Sequence, residues 1–208
     1  MIKLSVLLAN VADFPPDWLE KMSLSASSQQ RLAQLSQPHR RVQFMLGRWL
    51  MAQAAGCSPE EVAEGAHFPC FAEQAQWQAS ISHSGDYVAV LVSHGFRCGL
   101  DIEQPQRQRD WPALAERAFS RKETCWIAEA PPAEQCERFQ RIWTLREAAF
   151  KAGLVPGVVG EKVMFDPATG TGPQDLCWQY LHQGNLHVSA VASQPFQLNI
   201  RPIRPPHT

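Results

Sequence analysis

The sequence predicts an α+β fold, and three observations predict it. Apolar residues recur at helical intervals over 28–54, 112–128 and 134–152. Between and after those stretches stand short β-rich runs bounded by turn residues, as in Tyr87-Val88-Ala89-Val90-Leu91-Val92. The chain also echoes itself: residues 87–102 superpose without gaps on 187–202, with Val, Ser and Phe identical at 88/188, 93/193 and 96/196. That echo fits either a duplication, which would divide the chain into similar halves at 1–104 and 105–208, or two unrelated β-hairpins.

Composition narrows the class. A chain of 208 residues holds one large domain or two small ones and can bury a core without covalent staples. With 45% hydrophobic and 19% charged residues it is neither disordered nor a coiled coil. A formal net charge of −1 argues against a general nucleic-acid binder, whose affinity rests on many phosphate contacts. The six cysteines, at 57, 70, 98, 125, 136 and 177, form no CxxC and no zinc-spaced cluster. They read as reduced, mostly buried thiols of a cytoplasmic protein. No apolar run approaches 18 residues, so no membrane span is expected.

In chain order, Ile2, Leu4 and Val6 alternate and predict an edge strand rather than a signal peptide. The helical stretch 28–54 follows, with a break at Pro38, and 59–71 reads as irregular. Residues 81–92 predict a hairpin turning at Gly85-Asp86, and 96–103 a further strand. Helices are expected over 112–128 and 134–152, separated by Pro131-Pro132 and ended by Gly153, Pro156 and Gly157. Short strands and a Pro-rich tail complete the chain.

Several residues carry chemistry. Asp101-Ile102-Glu103 places two carboxylates at i and i+2, on one face of a strand. Their repulsion calls for a cation, and oxygen-only ligands suit Mg²⁺; a solvated strand end is the plainer alternative. Glu147 and Lys151 lie at i and i+4 on one helix, either a surface ion pair or a metal ligand beside a phosphate-binding cation. Ser120-x-x-Glu123 is a capping box, so Glu123 is either a cap or a catalytic carboxylate. Ser82-His83-Ser84-Gly85 offers hydroxyls, an imidazole and backbone N–H groups suited to phosphate, or ordinary turn chemistry. Arg31, Arg40, Arg41 and Arg48 are surface charges taken singly, and a local cationic pocket taken together.

The segments SISHSGDYVAV (80–90), GLDIE (99–103), FSRKE (119–123) and WTLREAAFKA (143–152) occur in the order and spacing of one family. The chain resembles a 4′-phosphopantetheinyl transferase of the larger, Sfp-type group. The resemblance implies two α+β halves related by a pseudo-twofold. It also implies a reaction: Mg²⁺-dependent transfer of phosphopantetheine from coenzyme A to a serine of an acyl or peptidyl carrier protein. It carries Asp101, Glu103 and Glu147 over as metal ligands, with Lys151 reaching the coenzyme A phosphates. Ser82 and His83, helped by Arg31, take the nucleotide's phosphate, and RRVQFMLGR (40–48), bearing Arg40 and Arg48, resembles the family's N-terminal helix. Glu123 or Glu147 would accept the serine proton. The N-terminal half then binds nucleotide phosphate, and the C-terminal half completes the metal site and carries the carrier-protein face. A cytoplasmic monomer with one coenzyme A site is expected, with neither nucleic acid nor membrane as partner. Two positions depart from the family pattern: Arg146 replaces a lysine, and His67-Phe68-Pro69 replaces Gly-Lys-Pro. The competing readings are a Mg²⁺-dependent nuclease and a carrier-protein binder without catalysis.

Overall fold

The computed structural model describes residues 1–66, 68–71, 76–160, 165, 166, 172 and 176–205. His67, read from the sequence as standing near a missing lysine, lies outside them. The chain divides into two compact units.

The first unit comprises residues 3–96 and 198–208. Its four-stranded sheet runs β4 (Trp77–Ser84), β5 (Tyr87–His94), β1 (Ile2–Asn10), β9 (Phe196–Pro202). β1 is therefore interior rather than the expected edge: β5 pairs with it antiparallel on one side and β9 flanks it on the other. The continuation of the chain past β9, where the Ile203 amide donates to the Leu8 carbonyl, was invisible to local alternation. The predicted helical stretch is α2 (Ala26–Ala33) and α3 (Pro38–Ala55), after a short α1 (Pro16–Glu20). Pro38 starts α3 at its first turn, where a missing N–H costs nothing, and Gly56 closes it at φ 70°. α3 lays Met45, Leu46, Trp49 and Leu50 into a core with Leu7, Val88 and Val90. Residues expected to be irregular hold a short antiparallel pair, β2 (Val62–Glu64) with β3 (Pro69–Phe71).

The second unit comprises residues 1–2 and 97–197. Its sheet runs β6 (Cys98–Glu103), β8 (Leu186–Ala192), β7 (Cys177–Gln183), all antiparallel. The helix expected over 112–128 is two: α4 (Trp111–Ala118) and α5 (Arg121–Ala128). The break follows from Ser120, whose hydroxyl accepts from the Glu123 amide and so begins a new helix. α6 (Pro132–Lys151) is the unit's spine. Phe139 and Ile142 pack with Trp111, Phe119 and Ile127 of the shorter helices. Leu145, Ala148 and Ala149 pack with Phe165 and Val191. Buried on both sides, α6 needs no wide polar stripe.

The echoed segments adopt the same elements, β5 then β6 and β8 then β9. All six cysteines are free, but only Cys98 is buried; Cys70 and Cys125 are exposed, contrary to the expectation of mostly buried thiols. Among the described residues no helix is long and apolar enough to cross a membrane.

Candidate active site

In the second unit, β6 presents Gly99, Asp101 and Glu103 on one face. Gly99 is there for want of a side chain: a Cβ would stand 1.9 Å from the Ala148 carbonyl oxygen and 2.8 Å from the Ala152 nitrogen. The strand can therefore lie against the backbone of α6. One turn of α6 spans Glu147, Ala148 and Lys151, so the approach that Gly99 permits brings both charged side chains to Asp101. The Lys151 ammonium donates to Asp101 Oδ1 at 2.6 Å. Asp101 is 4% exposed, whereas Glu103, Glu147 and Lys151 are half-buried.

Burial, and then the charge of Asp101, push the Glu147 carboxyl above its usual range, while Lys151 pulls the other way. Two carboxylates close enough to feel each other, with oxygen donors only, suit a hard divalent cation. Among the described residues no three His, Cys, Asp or Glu side chains form a ready-made metal cage. The set still fits Mg²⁺, which is commonly bound through one or two carboxylates, waters and substrate phosphates.

Glu123 is occupied differently. It is 1% exposed and receives five donors. The Ser120 amide and hydroxyl donate at 3.0 and 2.6 Å, and the Phe165 amide at 3.2 Å. Arg146 adds Nη2 at 2.5 Å and Nε at 3.4 Å. Arg146, fully buried, also donates through Nη1 to the carbonyls of Val158 and Gly160 at 2.8 Å each. The planar guanidinium thus ties α5 and the segment after α6 to one point, a geometry that a lysine could not reproduce. That occupancy favours the cap over the base for Glu123. The sequence marked Arg146 only as a departure; nothing local foretold its burial.

A second polar cluster covers the other end of the same sheet face. The register sets Glu103 opposite His187, and His187 opposite His182. Tyr180 Oη and His187 Nδ1 lie 2.7 Å apart, and the His182 and His187 rings stack at 4.2 Å. Burial first, then His182, lower the His187 pKa to about 4, so the ring is neutral at pH 7. The sequence reading missed these residues, because His and Tyr 29 to 36 positions beyond the end of α6 carry no local signal.

In the first unit, Ser82 and His83 end β4, and Gly85 turns at φ 56°. Ser82 is buried and His83 exposed. The first turns of α3 meet this hairpin end: Gln43 Nε2 donates to the Gly85 carbonyl at 2.9 Å, and Arg40 Nη1 lies 2.8 Å from His83 Nδ1. Arg40 and His83 therefore present a cation and an imidazole side by side.

The four arginines do not share one pocket. Arg48, 5% exposed, forks onto Glu64 at 2.7 and 2.8 Å and covers the Phe44 ring. Burial alone would raise the Glu64 carboxyl, but Arg48, Ser28 and Arg31 hold it below its usual range. Arg48 is thus paired with Glu64 in this structure. Exposed Arg31 belongs to the Glu64 neighbourhood, and Arg41 ties the carbonyls of Leu32 and Leu35.

Residues 97–170 match the model of the 4'-phosphopantetheinyl transferase superfamily. The chain is 36% identical over 120 residues to the 4'-phosphopantetheinyl transferase AcpT of Salmonella typhimurium, covering 58% of this chain and 62% of that protein. To the AcpT of Escherichia coli K12 it is 35% identical over 118 residues, 57% of this chain and 60% of the relative. A putative 4'-phosphopantetheinyl transferase of Haemophilus influenzae is 36% identical over 77 residues, 35% of this chain and 32% of its own length. The chain thus spans about three fifths of the length of the AcpT relatives it matches. The matched family segment contains Gly99, Asp101, Glu103, Glu123, Glu147 and Lys151.

Proposed function

We propose that this protein is a 4′-phosphopantetheinyl transferase that moves phosphopantetheine from coenzyme A to a serine of an acyl or peptidyl carrier protein. One observation carries the reading: Lys151 paired with Asp101 beside a proton-hungry Glu147, inside the segment that matches the superfamily. The Sfp-type grouping and the pseudo-twofold belong to the same proposal, as do a cytoplasmic location and a monomeric state.

Asp101 and Glu147, joined by Glu103, are the residues that would hold Mg²⁺. When bound, the ion neutralises charge on the phosphoryl oxygens. In the proposed reaction the carrier serine oxygen bonds to the β-phosphorus of coenzyme A. The phosphoanhydride bond breaks, and adenosine 3′,5′-bisphosphate leaves. Lys151 is the cation for those phosphates, exchanging its hold on Asp101 for the incoming anion. Arg40, His83 and Ser82 would take the nucleotide's remaining phosphate, with Arg31 as helper. Glu147 is the candidate to accept the serine proton, since burial and then Asp101 raise its carboxyl above its usual range. Glu123 serves as the anchor of Arg146.

The test is mass spectrometry of several apo carrier proteins incubated with the protein, coenzyme A and Mg²⁺. Addition of one phosphopantetheine to at least one carrier is expected, and its loss in Asp101→Asn and Lys151→Ala. No addition to any carrier in the panel, or full activity in both variants, would overturn the reading.

A further inference from the structure

The strongest unassigned feature is a cavity of about 360 Å³ in the first unit, remote from the residues given a role above. It lies where β1 and the chain around the end of β9 meet the last turn of α3. Val92 and Ile203, half-buried, are among its apolar lining residues, with exposed Lys3, Arg201, Ser5 and Gln53 around them. No carboxylate lines it among the described residues. Neither Lys3 nor Arg201 joins an ion pair with a described residue. Two cations facing one small cavity without a counter-charge repel each other unless an anion joins them.

The echo within the chain sharpens the point. Position 201 aligns with Asp101, so the segment that supplies a carboxylate for a cation at one place supplies a guanidinium at the other. Gln53 and Arg40 are both on α3, thirteen residues apart, which is roughly 20 Å along its axis. The cavity is therefore separate from the Arg40–His83 pair proposed for nucleotide phosphate.

We infer that this cavity binds a small organic phosphate ester, its phosphate held between Lys3 and the planar fork of Arg201 and its apolar body resting on Val92 and Ile203. Arginine's fork matches phosphate oxygens two at a time, and Ser5 and Gln53 add neutral donors. The volume is at the small end of ligand sites and suits a single ring or short chain rather than a nucleotide.

The test titrates the full chain with inorganic phosphate and with phenyl phosphate, followed by calorimetry and by amide NMR shifts. Saturable shifts are expected at Ser5, Gln53, Val92 and Ile203, with phenyl phosphate binding the tighter. Lys3→Ala/Arg201→Ala should weaken binding by at least about tenfold, or ~1.4 kcal/mol, while Lys21→Ala, at an exposed surface pair, leaves it unchanged. Shifts that never saturate would overturn the inference, and so would equal affinity for the two probes. Binding retained in the double variant would do the same, and so would shifts confined to His83 and the first turns of α3, which would place the anion there instead.

Discussion

Two long helices lie on two sheets in this protein, and glycine mediates both contacts with opposite results. In the first unit the glycine is on the helix. A Cβ at Gly47 of α3 would meet the tip of the Ile81 side chain at 2.2 Å, and its next neighbour is the Val88 side chain. In the second unit the glycine is on the strand, and a Cβ at Gly99 would strike the backbone of α6. The first arrangement makes a core. The second lets a strand of carboxylates meet a helix bearing Glu147 and Lys151, and so makes a charged site. The same order of elements, long helix then hairpin then strand, occurs in both places (α3–β4–β5–β6 and α6–β7–β8–β9). Its chemistry depends on which partner lacks a side chain.

The buried ion pairs offer the largest test of that contrast. Glu123 and Arg146 are 1% and 0% exposed, against 22% and 6% for Glu64 and Arg48. Glu123→Gln keeps a capping side chain yet strands a buried guanidinium, so a loss of about 3–5 kcal/mol is expected in urea unfolding. Glu64→Gln, nearer to water, should cost about 1–3 kcal/mol. Equal losses would erase the distinction between the two units. Retained turnover in folded Glu123→Gln, within about tenfold of the parent, separates anchor from base, since a general base contributes ~10²–10⁴-fold.

The glycines come next. Gly99→Ala forces strand from helix and should cost about 1–3 kcal/mol through overpacking, with activity falling further as Lys151 loses Asp101. Gly47→Ala meets only a movable methyl and gains helix propensity of about 1 kcal/mol, so its net effect should be small. A Gly99→Ala variant of parental stability and activity would show that close approach does not assemble the site.

The smallest effect concerns pH. His187 has its pKa lowered from 6.5 to about 4 by burial and by His182. Between those values the unfolded chain binds the proton more readily, so stability is complete above pH 6.5 and falls as pH drops towards 4. His187→Asn should flatten that limb of the stability profile. An unchanged slope would mean that other groups govern acid sensitivity.

Much of the site was legible because its motifs are local. Period two placed Asp101 and Glu103 on one strand face, period 3.6 placed Glu147 and Lys151 on one helical face, and Ser120 with Glu123 spelled a cap. The same locality misled at β1, whose alternation cannot tell an edge from an interior strand, and at 112–128, where helical periodicity overran the cap at Ser120. Local reading likewise could not show the partner of Arg48, because Glu64 lies on a separate strand.

The sequence by itself determined the kinds of element, the order of the carboxylates and the lysine, and the turns at Gly85 and Gly153, because neighbouring residues decide backbone preference and side-chain direction. Only the tertiary structure decided which charges meet. Lys151 reaches Asp101 across fifty residues of chain, Arg146 is sealed against Glu123 rather than solvated, and Arg48 is spent on Glu64. A side chain's charge is written in one residue, but its burial and its partner belong to whichever surfaces the fold presses together.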